Sequence, residues 1–149
     1  MAAGSGGPAA GVRWDLSDLF AGPDDPRIDA DLDRALAAAR EFAARHRGTL
    51  ATLDARALAG AVDALETLQE PVARVGAYAS LLFAADTATP RHGALLQHVQ
   101  ERGTAIHNEL LFFELEWVAV DPSRADSLLA DPALAHRRHY LSEIGRAHV

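Results

Sequence analysis

The chain has 149 residues, a net charge of −7 and no cysteine. That is one domain's worth of sequence, and it excludes disulfides, thiolate zinc sites and cysteine nucleophiles. All 14 basic residues are arginine, and they are outnumbered by 21 acidic ones, so the balance speaks against a polyphosphate partner.

Alanine occurs 32 times and β-branched residues are few, which predicts an all-α fold. The Ala-rich, lysine-free bias also matches translation of a GC-rich bacterial genome. No apolar run reaches the ~20 residues needed to span a bilayer. The start, MAAGSGGPAAG, lacks the basic and apolar regions of a secretory signal, and residues 1–11 read as a disordered tail.

Trp14, Leu16, Leu19 and Phe20 mark a docked segment, with Asp15 or Ser17 placed to cap a short turn. Gly22-Pro23-Asp24-Asp25-Pro26 breaks the chain. A long helix then starts at Pro26 with Asp25 as its cap. Ile28, Leu32, Ala35, Leu36, Ala39, Phe42 and Ala43 form its apolar stripe, and Gly48 is its C′ residue.

A second stripe runs Leu58, Val62, Leu65, Leu68, Val72, Val75, Ala79, Leu82. Pro71 interrupts it and removes a helical hydrogen bond, so two helices are expected, over 54–69 and 71–85, rather than one kinked helix. After the loop Thr87–Pro90, residues 90–118 read as one long helix. Its seam, Val99, Gly103, Ile106, Leu110, Phe113 and Trp117, steps by four and three. Glycine on that seam predicts close approach of another helix. Asp121-Pro122 and Asp131-Pro132 each open a short helix. The expected architecture is an antiparallel bundle of long helices with short terminal ones.

The residues that could carry chemistry are scattered. None of the seven histidines is followed by Glu, so HExxH is absent. His98 and Glu101 stand at i, i+3, but a di-iron bundle needs a second such pair and two more carboxylates. His136 and His139 lack a third ligand. Both pairs are read as solvated surface. His107, Asn108 and Glu109 diverge around a helix and cannot converge on one ion. Glu109, Glu114 and Glu116 with Arg102 read as a solvated face. No serine sits in a G-x-S-x-G elbow, and the early glycines follow no strand. Phe83, Phe112, Phe113 and Trp117 are helix-spaced core candidates. Leu110–Phe113 carries apolar side chains around most of the helix, so in a piece of a larger enzyme either Leu111 or Phe112 is expected to form an exposed patch that the missing domain would cover. No catalytic, cofactor-binding or metal-ligating residue is assigned.

"WDLSDLF", the Gly-Pro-Asp break and a helix ending "FAARHRG" resemble the start of the oligoendopeptidase F family. These are zinc metallopeptidases of the thimet-oligopeptidase type. "VGAYASLLFAADTATP", "GALLQHVQERGTAI", "LLFFELEWVAVD" and "LADPALAHRRHYLSEI" resemble the same family's N-terminal helical region, in order, over about residues 12–143. The resemblance implies a cytoplasmic parent several hundred residues long. In it, an HExxH helix and a downstream Glu hold zinc, and the helical N-terminal part walls a channel that admits short peptides. None of the zinc-binding or catalytic positions has a counterpart here, so the chain alone is expected to be inactive. The implied partner is the missing C-terminal catalytic domain, the implied substrates are oligopeptides, and neither nucleic acid nor membrane is implied. A free-standing helical interaction module is the alternative.

The last six residues, Ile144-Gly145-Arg146-Ala147-His148-Val149, are what a common short-read sequencing adapter encodes: ATC GGA AGA GCA CAC GTC. Residues 144–149 are therefore expected to be non-native and to add nothing to the fold.

Overall fold

The computed structural model describes residues 15–147, with side chains through Gly145. The expected tail at 1–11 and the docking of Trp14 lie outside those residues. Among the described residues there are five α-helices and no strand: α1 Pro26–His46, α2 Ala55–Ala85, α3 Pro90–Val118, α4 Pro122–Ala130 and α5 Arg138–Ala147. The all-α expectation holds. None of these helices is long and apolar enough to cross a membrane.

Aspartates set the helix starts. Asp25, Asp54 and Asp121 accept hydrogen bonds from backbone N–H groups in the first turns of α1, α2 and α4. Pro26, Pro90 and Pro122 occupy first-turn positions where no N–H is needed. At the end of α1, Gly48 takes φ +81°, the left-handed conformation that a C′ residue requires.

The core is continuous. Leu32, Ala39, Val62, Val75, Ala79, Phe113, Leu134 and Leu141 are fully buried, so α1, α2, α3 and the C-terminal segment share one apolar interior. Ahead of α1, Phe20 is also buried and its ring lies 5.1 Å from that of Tyr78. Short connections make α2 antiparallel to α1 and to α3, which leaves α1 and α3 parallel. The Asp131-Pro132 site differs from expectation. It opens a single 3-10 turn, Pro132–Leu134, that plants Leu134 in the core before α5 begins.

Three further expectations are corrected. Residues 55–85 form one helix with Pro71 inside it, not two. The buried stripe keeps its phase from Leu65 and Leu68 to Val75 and Ala79, so packing on both sides holds the helix together through the lost hydrogen bond. A Cβ on Gly103 would meet nothing within 4 Å, so no helix approaches closely there. Finally, residues 144–147 do belong to the fold; residues 148 and 149 lie outside the described ones. α5 runs through Gly145 to Ala147, and Ile144, three residues after Leu141, is buried against the core.

Candidate functional site

Arg102, Glu109 and Glu116 do not make a solvated face. With His98 they stitch α3 to α1 and the loop after it. His98 Nε2 lies 2.7 Å from an Asp29 carboxylate oxygen, Arg102 pairs with Asp33, and Arg40 Nε lies 3.5 Å from Glu109. The sequence offset is 69 residues in each case, which independently fixes α1 and α3 as parallel and in register. Glu116 continues the ladder. Its carboxylate accepts the N–H of Gly48 at 2.9 and 3.0 Å and reaches that of Leu50 at 3.4 Å, anchoring the loop after α1. Arg102, Glu109 and Glu116 recur every seven residues, which keeps them on the side of α3 turned toward α1.

The described histidines do not converge on one another. His98 pairs with Asp29 rather than with Glu101, which accepts from Gln97 at 3.1 Å. His107, His136 and His139 are exposed. Among the described residues, no group of three or more His, Asp or Glu side chains is placed to hold a metal ion. His46 is half-buried with its ring 4.6 Å from Phe42, and burial, aided by Arg45, pushes its imidazole below the usual value.

The aromatics divide. Phe113 and Trp117 are buried, and the Trp117 indole N–H donates to the Leu141 carbonyl at 2.9 Å, tying α3 to α5. Leu111 and Phe112, one of which the sequence predicts to be exposed, are both half-buried. The Phe112 ring sits 5.9 Å from Phe42, and the Arg47 guanidinium stacks 5.3 Å above it. The exposed large apolar residues of α3 are instead Leu115 and Val118. Near this end Tyr140 is half-buried; burial and the carboxylates of Glu114 and Glu66 push its phenol up to about 12.

One groove of about 590 Å³ runs between α1 and α2. Ala35, Ala38, Phe42, Ala64, Leu68 and Pro71 supply its apolar floor. Arg34, Arg45 and Arg74 stand on its rim, paired with Asp31, Glu41 and Glu70 on their own helices. Such exposed pairs contribute little individually. His46 also lines the groove, along with the Asp31 and Glu41 carboxylates that are held in those pairs. Sequence reading missed it because its floor joins residues of two helices about 30 positions apart, and only the packing of α1 on α2 brings them together.

No protein family, curated protein or solved structure matches the chain.

Proposed function

We propose that this chain is the N-terminal helical, channel-wall domain of a cytoplasmic zinc metalloendopeptidase of the oligoendopeptidase F type, separated from its catalytic domain. One observation carries the reading: several stretches between residues 12 and 143 resemble that family's helical region in the family's own order. The all-α fold is compatible with it. In this reading the parent's zinc and the glutamate that activates water belong to the absent domain, and residues 144–149 are not the parent's own. The substrates of the parent are oligopeptides.

The genomic sequence past the codon for Glu143 tests this directly. An HExxH motif a few hundred codons downstream is expected; an in-frame stop soon after that codon overturns the reading. A second test uses the protein itself. The purified chain, incubated with zinc and a quenched fluorescent peptide, is expected to show no cleavage, because the sequence lacks the HExxH helix that would hold a metal to activate water. Chelator-sensitive turnover would refute this.

The groove between α1 and α2 supports the second reading, a free-standing module that binds a partner through an apolar surface. A genuine stop codon after Glu143 would favour it.

A further inference from the structure

We draw no further inference here: the strongest candidate, the groove between α1 and α2 floored by Ala35, Phe42 and Leu68, has each rim arginine already matched to a carboxylate on its own helix, and nothing in the structure shows what covers it.

Discussion

Asp25 does three things at once. One carboxylate oxygen accepts the Arg27 N–H at 2.9 Å, the other accepts the Ala21 N–H at 2.8 Å, and the Arg27 guanidinium grips both. The Arg27 side chain, with the two backbone donors, holds the Asp25 carboxyl well below the usual carboxylate range. A depressed pKa favours the folded state at pH values above the unfolded carboxyl's value of ~3.9, and that contribution is lost as pH falls through the window below it. Asp25→Ala is therefore expected to lower Tm at pH 7, with the gap to wild type narrowing as pH drops from 5 to 2. Thermal melts by circular dichroism across that range check it. A gap that stays constant would mean that the side chain acts without its charge. Gly103 offers the opposite case. With open space around a would-be Cβ, Gly103→Ala removes backbone freedom from the unfolded chain at no packing cost. It should stabilise by up to ~1 kcal/mol. A lower Tm would show that something does press on the α3 backbone there.

At the scale of elements, the sequence was most readable where one physical signal dominated. The Asp-Pro starts of α1 and α4, the end of α1 at Gly48 and the buried seam of α3 all follow from local capping and period. It was least readable where tertiary packing overrode a local rule. Pro71 breaks an isolated helix, yet both halves of α2 bury one continuous stripe against the same neighbours, and the helix persists. Likewise, a glutamate at position 116 reads as solvated until α1 and its loop are placed beside it. The neighbouring phenylalanines of α3 give a sharp test of which face is core. Phe113 is fully buried, so Phe113→Ala should cost about 3–5 kcal/mol and unfold the domain at moderate temperature. Phe112 keeps part of its ring in solvent and packs mainly on Phe42 and beneath Arg47. Phe112→Ala should be clearly milder. Chemical denaturation of the two variants decides it, and equal losses would mean that α3 is buried on both faces.

For the molecule as a whole, the question is how far the cooperative unit extends. α1, α2 and α3 pack against one another, and the C-terminal segment closes the end where α2 starts and α3 stops. Leu134 fills the core beside α2, Arg137 pairs with Asp63 and Glu66, and the Trp117 indole holds the Leu141 carbonyl. α5 then adds Ile144 to the same interior. From sequence the closing peptide reads as inert, because a glycine stands in it and it is what an adapter encodes. The i, i+3 spacing of Leu141 and Ile144 nonetheless puts both on one face of a helix. Burial says nothing of where the isoleucine came from: any aliphatic side chain at that step of α5 would find the same apolar site. It does fix what removal should do. Truncating a buried Ile costs about 2–5 kcal/mol, and a domain of this size loses roughly 2–4 °C per kcal/mol. Deleting residues 144–149 should thus lower Tm by several degrees, and Ile144→Ala should reproduce most of the loss. If the deletion moves Tm by less than ~2 °C, the helix beyond Leu141 contributes nothing and the cooperative unit stops at Leu141.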